Sequence, residues 1–213
     1  MPSPHELIPG NYFARLTRQA IFPDTSRPLE IDVGCGDGTF LLEMAARFPE
    51  RDFLGIERLG GRVAKICRRA DRLGLPNVRV LCLESSYALG WLLPTSCASR
   101  LHLLFPDPWP KKRHAWKRFV QPEILGSIHQ TLAPHGEFLF KTDHTPYFEE
   151  ATATVDASPL FSRLPWLRPE EFYPLTDFEK QWIAAGCQIS AARWRKTENN
   201  PAPDAKPGSA ASL

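Results

Sequence analysis

The sequence predicts an α/β fold, with a mostly parallel sheet of about seven strands and helices on both faces. Two observations lead to this prediction. Between Pro28 and Asp143, short apolar runs alternate with segments of helical periodicity, an order that connects parallel strands through right-handed crossovers. Polar and glycine residues also follow directly after several strands, where ligands bind at the edge of a parallel sheet.

Five strands and three helices account for the alternation. The predicted strands are Leu29–Val33, Asp52–Glu57, Val78–Leu83, Arg100–Phe105 and Glu137–Lys141. The predicted helices are Phe40–Phe48, Arg58–Leu73 and a segment near Pro122–Leu132. Each helix carries apolar residues three or four positions apart, the pattern of a helix with one buried face.

The helix Arg58–Leu73 has two contrasting faces. The apolar face carries Leu59, Val63, Ile66, Ala70 and Leu73. The opposite face carries Arg62, Lys65, Arg69 and Arg72. A solvated surface is the commoner explanation of such a basic face, and a nucleic-acid-binding stripe is the alternative.

Composition fits one domain with a substantial core. The chain has 213 residues, 43% of them hydrophobic, and we expect residues 1–197 to form a single domain. From Glu198 to Leu213 it is rich in Pro, Ala, Ser and Asn, which predicts a disordered tail. The net charge is only +2, so nucleic-acid binding would need local clusters of charge.

Cysteine usage and hydropathy point to a cytoplasmic protein. The five cysteines include no CxxC pair, which argues against a disulfide framework and a zinc site, so no metal is predicted. No apolar run approaches the ~20 residues that span a bilayer, and the first residues lack a signal-peptide pattern. We expect a soluble monomer or homodimer without a membrane partner.

A glycine-rich loop follows the first strand. Residues 32–39 read DVGCGDGT, with Gly34, Gly36 and Gly38 free to form a tight turn against a ligand. The GxGxG spacing and the Thr that follows do not fit the dinucleotide pattern GxGxxG. Asp32 and Asp37 flank the loop and would repel a pyrophosphate, so they suit a ligand with a positive centre.

Two further carboxylates follow the next strands. Glu57 ends the second strand, where an acid can accept both hydroxyls of a ribose. Glu84 follows the third strand and is placed to reach a base edge. A cationic sulfonium, a free ribose diol and adenine without phosphate describe S-adenosylmethionine, which we predict as the cofactor.

The fourth strand leads into the sequence FPDPWPKKRHAWKRF, Phe105–Phe119. The prolines on either side of Asp107 restrict its backbone, so a rigid loop holds this carboxylate at the predicted active edge. The basic residues that follow would neutralise phosphates, which indicates a polyanionic substrate. Trp116 lies within the basic run, where it would either stack on a base or pack against the core.

These residues together resemble a known family. The matching segments are Gly34–Gly38, GIE at Gly55–Glu57, FPDPWPKKRH at Phe105–His114, TD at Thr142–Asp143 and TDFE at Thr176–Glu179. They resemble the bacterial tRNA (guanine-N7)-methyltransferases, class I S-adenosylmethionine enzymes with a Rossmann-like fold. That family forms 7-methylguanosine in the variable loop of tRNA, at position 46.

The resemblance implies a role for each matching residue. The implied cofactor ligands are Asp32, Gly34, Gly36, Gly38, Glu57, Glu84 and Asp107, and the implied catalytic residue is Asp107. The implied tRNA contacts are Lys111, Arg113, Lys117, Arg118, Asp143, Thr176, Asp177, Phe178 and Glu179. The TDFE segment also has the spacing of a helix-capping box, and this structural role can coexist with substrate binding.

The expected chemistry is simple. Guanine N7 has an in-plane lone pair and no proton, so it can attack the sulfonium methyl in line without a general base. Two alternatives remain open from the residues alone. One is a class I methyltransferase that acts on another RNA or a small molecule, because a fold does not fix a function. The other is an RNA-binding module without catalysis, which would not need acids at three strand ends.

Overall fold

The computed structural model describes residues 3–168 and 170–199. Within them, eight strands form one sheet in the order β1-β4-β3-β2-β5-β6-β8-β7. The strands are β1 (Glu6–Leu7), β2 (Leu29–Val33), β3 (Asp52–Glu57), β4 (Val78–Cys82), β5 (Ala98–Leu104), β6 (Leu132–Thr142), β7 (Phe161–Leu164) and β8 (Ser190–Lys196). The predicted disordered tail lies almost wholly outside the described residues.

Pairing in the sheet is mostly parallel, as predicted. The first six strands pair in parallel, whereas β8 is antiparallel to both β6 and β7. The sheet has eight strands, in agreement with the prediction of about seven. Three of them, β1, β7 and β8, are not among the five strands located from the sequence, and the two-residue β1 is too short to give a periodic pattern.

Helices cover both faces of the sheet. They are α1 (Arg18–Ile21), α2 (Thr39–Arg47), α3 (Gly60–Leu73), α4 (Ser85–Tyr87), α5 (Pro122–Thr131), α6 (Thr145–Asp156) and α7 (Asp177–Ala184). A π-helical turn at Ala88–Leu92 continues α4, and a 3-10 helix forms at Lys112–Lys117. The core on one face involves the π-helical turn, α5 and α6, and the core on the other involves α2 and α3.

The predicted apolar face of α3 needs one correction. Its centre is buried as expected, and Cys67 joins it. Leu59 and Leu73 were expected on this face, but they are 46% and 54% exposed. Leu59 precedes the helix and Leu73 is its last residue before Gly74, so both lie beyond the part of α3 that contacts the sheet.

One face of the sheet carries a layer of charged residues. Strand register places Glu30 opposite Arg100, and Asp32 opposite His102, on this same face. Lys141 and Glu137 of β6 extend the layer, and all six residues except Arg100 are less than 10% exposed. The segment 166–183 contacts this layer through Glu171, Tyr173 and Glu179. Buried charge therefore surrounds the edge at which the loops meet.

Candidate active site

The loops that carry the predicted site residues follow parallel strands, so they lie at one edge of the sheet. The carboxyl ends of β2, β3, β4, β5 and β6 lead respectively to Gly34–Gly38, Glu57, Glu84, Asp107 and Asp143. Ligands of open α/β sheets bind at this edge. The topology thus supports the placement of the site derived from the sequence.

The loop Gly34–Gly38 needs its glycines for two different reasons. Gly34, Gly36 and Gly38 all have left-handed backbones, with φ of 72°, 58° and 76°. A Cβ at Gly38 would lie 2.7 Å from the Ile66 side chain, so the loop packs tightly against α3 there. A Cβ at Gly34 would meet nothing within 4 Å. The space beside Gly34 is therefore open, as the prediction of a ligand held against this loop requires.

Glu57 joins the end of β3 to this loop. Its carboxylate accepts hydrogen bonds from the backbone N–H groups of Gly36 at 3.1 Å and Leu59 at 2.9 Å. Arg62 lies 3.7 Å from the same carboxylate. Because a carboxylate has about four lone-pair positions, Glu57 can still accept ribose hydroxyls while it holds the loop.

Asp32 lies beneath the loop and is 4% exposed. Burial, together with the negative charges of the neighbouring acids Asp37 and Glu57, raises the pKa of this carboxyl to about 8. No hydrogen bond reaches its carboxylate from residues 3–168 or 170–199. A positive charge nearby would favour the ionised form, so the electrostatics of the loop fit a cationic ligand.

Glu84 forms the start of α4. Its carboxylate accepts from the backbone N–H groups of Ser86 at 3.0 Å and Tyr87 at 2.9 Å. The side chain is exposed at the same edge of the sheet. This capping fixes its orientation and leaves acceptor positions free for a base edge.

The loop that presents Asp107 has an unusual backbone. Phe105 and Trp109, on either side of it, are non-glycine residues with φ of 52° and 42°. Such left-handed residues cost roughly 1–3 kcal/mol each and persist only where the surrounding structure holds them. Asp107 is exposed between them. The loop thus holds an accessible carboxylate in a constrained position.

Arg118 provides the restraint. It is 6% exposed, and its Nε donates to the carbonyl oxygen of Pro108 at 2.8 Å. The guanidinium also pairs with Glu150 and lies 5.2 Å from the centre of the Tyr147 ring. Its predicted contact with tRNA stays untested. The side chain is buried, and its bonds to Pro108 and Glu150 hold the Asp107 loop in place.

The other predicted tRNA-contacting cations are exposed. Lys111, Arg113 and Lys117 form no ion pair within the described part of the chain. Lys117 Nζ lies 4.7 Å from the Trp109 ring centre and 5.3 Å from that of Trp116. Trp116 is 72% exposed, so the alternative that it packs in the core is wrong.

The TDFE segment forms the first turn of α7. Thr176 caps the helix, because its hydroxyl accepts from the Glu179 backbone N–H at 3.0 Å. The predicted capping box is thus half present: the carboxylate of Glu179 pairs with the buried Lys141 ammonium. Phe178 is 57% exposed, and Asp143 is half-buried at the end of β6.

Asp177 ties α7 to the glycine-rich loop. Thr39 Oγ1 lies 3.0 Å from an oxygen of Asp177 and 3.0 Å from one of Asp37. Burial raises the pKa of Asp37, but hydrogen bonds with Asp177 and Thr39 outweigh it and lower that pKa overall. The predicted cofactor loop and the predicted substrate segment are therefore in direct contact.

Sequence reasoning missed a buried network beneath the site. The ring nitrogens of His102 lie 2.9 Å from the Tyr173 hydroxyl and 2.9 Å from Glu30 Oε2. Arg51 Nη1 donates to the other oxygen of Glu30 at 2.8 Å. The signal in the sequence was the alternation of polar and apolar residues in two strands, with Glu30 and Asp32 in β2 and Arg100 and His102 in β5.

Among the described residues, no cluster of His, Cys, Asp and Glu is arranged to hold a metal.

Comparison with known proteins shows which family this chain resembles in sequence. A family model described as "Putative methyltransferase" matches residues 26–192. The tRNA (guanine-N(7)-)-methyltransferase of Geobacter metallireducens is 31% identical over 206 residues, 94% of this chain and 96% of that protein. The enzyme of the same name from Chromohalobacter salexigens is 39% identical over 160 residues, and the match spans 72% of this chain and 65% of that protein.

The chain belongs to the tRNA (guanine-N(7)-)-methyltransferase family. This membership confirms the resemblance carried by the motifs. The fold agrees with it: the crystal structure of the 16S rRNA methyltransferase KamB aligns with a TM-score of 0.60, at 20% identity over 84% of this chain and 93% of that one. At that identity the likeness shows the Rossmann-like methyltransferase fold alone.

The Asp107 loop and the TDFE segment both contact one residue, Lys141. In this member of the tRNA (guanine-N(7)-)-methyltransferase family, Lys141 lies near the end of β6, beside Phe105. The backbone N–H of Phe105 donates to the Lys141 carbonyl oxygen at 2.9 Å. The same Lys141 side chain pairs with Glu179. One residue thereby connects the two motifs.

No helix in the described part of the chain is long and apolar enough to cross a membrane.

Proposed function

We propose that this chain transfers a methyl group from S-adenosylmethionine to N7 of a guanosine in the variable loop of tRNA. The observation that carries the proposal is the direct contact between the acid-flanked glycine-rich loop and the TDFE turn, beside the Asp107 loop and its exposed cations. A small-molecule acceptor would leave those cations without a role.

The cofactor site fits S-adenosylmethionine. Bound there, the cofactor supplies an electrophilic methyl group on a positively charged sulfur. A bound sulfonium would favour the ionised form of Asp32, which then supplies negative charge under the loop. Glu57 is oriented by two backbone N–H groups to accept ribose hydroxyls. Glu84 is held by α4 at the end of β4, where it would accept from the amine of adenine.

The acceptor site is assigned to Asp107, Asp143 and the TDFE turn. Guanine presents N1–H and an exocyclic amine as donors, and adenine lacks that combination, so a carboxylate there selects guanine. Because N7 carries no proton, the chain needs no general base. Positioning by the braced Asp107 loop can supply on the order of 7–11 kcal/mol of the barrier reduction. Carboxylates beside the ring stabilise the positive charge that develops on it.

The exposed cations Lys111, Arg113 and Lys117 would hold the tRNA backbone next to Asp107. Such contacts contribute affinity without reading sequence. Arg118 instead acts as a positioning residue through its bond to Pro108. A cytoplasmic location, a single domain over residues 1–197 and a monomeric or homodimeric state complete the proposal.

Methyl transfer from labelled S-adenosylmethionine to unmodified tRNA, followed by mapping of the methylated nucleotide, tests the function. We expect one 7-methylguanosine in the variable loop. The variant Asp107→Ala should lose far more in single-turnover rate than in tRNA affinity. Label in another nucleotide, or in no nucleotide with folded protein and bound cofactor, would refute the proposed function.

A further inference from the structure

The outer face of α3 forms a basic surface that the proposed chemistry does not use. We call Lys65, Arg68, Arg69 and Arg72 the α3 basic surface. These four side chains line a groove together with Asp37 of the glycine-rich loop and Asp177 of α7. Their spacing of three and four residues places them on one side of the helix.

The charge of α3 is strongly one-sided. Its 14 residues include five Lys or Arg and one acid, Asp71, whereas the whole chain has 26 basic and 24 acidic residues. Within the described ranges, Lys65, Arg68 and Arg72 form no ion pair. Like charges three and four residues apart destabilise a helix, and ordinary solvated surfaces mix both signs. An anionic partner would offset this repulsion.

One member of the surface is anchored to the site. Arg69 Nη1 donates to the carbonyl oxygen of Asp37 at 2.8 Å and approaches Thr39 Oγ1 at 3.5 Å. The groove therefore runs without a break from the basic surface to the contact between Asp37 and Asp177. From Lys65 to Arg72 it extends about 10 Å along the helix axis, at about 1.5 Å per residue.

We propose that the α3 basic surface binds the sugar–phosphate backbone of the tRNA outside the methylated loop, as a second contact separate from the Lys111–Lys117 run. The inference rests on the proposed function. Lys65 acts as a point charge, and the guanidinium groups of Arg68 and Arg72 can each hold a phosphate through two N–H donors. The carboxylates of Asp37 and Asp177 repel phosphate and mark the end of the path at the catalytic edge.

The test compares tRNA binding by wild type, Arg68→Ala/Arg72→Ala and the triple variant that adds Lys65→Ala, across a range of salt concentrations. We expect weaker binding by tenfold or more at low salt. The slope of log K against log salt should shrink by roughly one for each cation removed. The matched control is Arg27→Ala/Arg163→Ala, which removes two charges that pair with Asp24 and Asp156. Its slope should equal that of wild type.

Affinity for S-adenosylmethionine, measured by calorimetry, should be the same in all variants. An unchanged salt slope in the triple variant would overturn the second contact, even if wild type methylates tRNA as proposed. A slope that falls equally in the Arg27/Arg163 control would also overturn it, because the effect would then report net charge. Wild type that binds tRNA through α3 but transfers no methyl would instead refute the proposed function.

Discussion

Arg118 Nε donates a hydrogen bond to the carbonyl oxygen of Pro108 at 2.8 Å, which fixes the residue that follows Asp107. The bond comes from a buried side chain within the most basic stretch of the sequence. Adjacent cations in one motif thus have different environments: Arg118 restrains the loop, whereas Lys111, Arg113 and Lys117 are exposed and are proposed to contact tRNA.

Arg118→Ala should lower the methyl-transfer rate on the order of 10- to 100-fold, because the Asp107 loop loses its restraint. The loss of stability should be about 1–2 kcal/mol, since Glu150 is 41% exposed on its side chain and can hydrate its charge. Single-turnover kinetics and urea denaturation measure both effects. The salt slope of tRNA binding should stay at the wild-type value, whereas Arg113→Ala should reduce it. A reduced slope in Arg118→Ala would assign Arg118 to direct tRNA contact.

Alanine at Gly34 and at Gly38 should have different effects. Both variants bear the left-handed strain, about 1–2 kcal/mol. Gly38→Ala also pushes a methyl to 2.7 Å from Ile66, so overpacking should add about 1–3 kcal/mol to its loss of stability. Gly34→Ala should fold nearly normally but bind S-adenosylmethionine weakly, because its methyl enters the ligand space. Wild-type cofactor affinity in a folded Gly34→Ala protein would place the cofactor elsewhere.

Asp32 should make cofactor binding depend on pH. Its pKa is raised from 3.8 to about 8, so the folded chain holds the proton more tightly than the unfolded chain does. The resulting stability is complete below pH about 4 and is lost as the pH rises to about 8. The ionised form attracts a cation, so affinity for S-adenosylmethionine should increase from pH 6.5 to 8.5.

The control for this prediction is Asp32→Asn, which cannot titrate. Its affinity should be lower and nearly independent of pH over the same range in calorimetry. At pH 8.5 the free variant should be more stable to heat than wild type, because it buries no charge. An identical pH profile in both proteins would show that another group controls binding.

Glu30 should contribute stability with the opposite pH dependence. Burial alone would raise its pKa, but hydrogen bonds with His102 and Arg51 and the charges of His102 and Arg100 lower it from 4.5 to about 2. Its contribution is therefore present above pH about 4.5 and is lost as the pH falls toward 2. In urea denaturation, Glu30→Gln should cost about 3 kcal/mol at pH 7 and roughly half of that at pH 3, because the unfolded chain is then protonated while the folded chain still carries the charge.

Glu50→Gln offers a matched control, because Glu50 is an exposed acid that pairs with the same Arg51 at 3.4 Å. We expect a change below about 0.5 kcal/mol for this variant. Equal losses in the two variants, or a loss at Glu30 that is as large at pH 3 as at pH 7, would contradict the assignment to a buried ion pair.

The sheet and its loops were predictable because short apolar runs alternate regularly with helical patterns between Leu29 and Lys141. The acids at strand ends followed from the same reading, since strand polarity alone decides which loops share an edge. The environment of each charged side chain did not follow. Arg113 and Arg118 are alike in sequence, yet one is exposed and the other buried.

The buried charged layer was also beyond sequence reasoning. Glu179 pairs with Lys141, and His102 with Glu30, across 38 and 72 residues of chain. Such pairs depend on strand register and on how segment 166–183 crosses the sheet, and local periodicity contains neither. The TDFE spacing correctly predicted the Thr176 cap but not the partner of Glu179.

The most direct measurement uses a tRNA whose variable-loop guanosine is replaced by 7-deazaguanosine, in which a C–H group stands in place of N7 and no lone pair is available for attack. With labelled S-adenosylmethionine, we predict that this tRNA binds as tightly as the unmodified one and accepts no label. The parent tRNA should accept one methyl group per molecule. Equal labelling of the two would contradict N7 methylation of that guanosine.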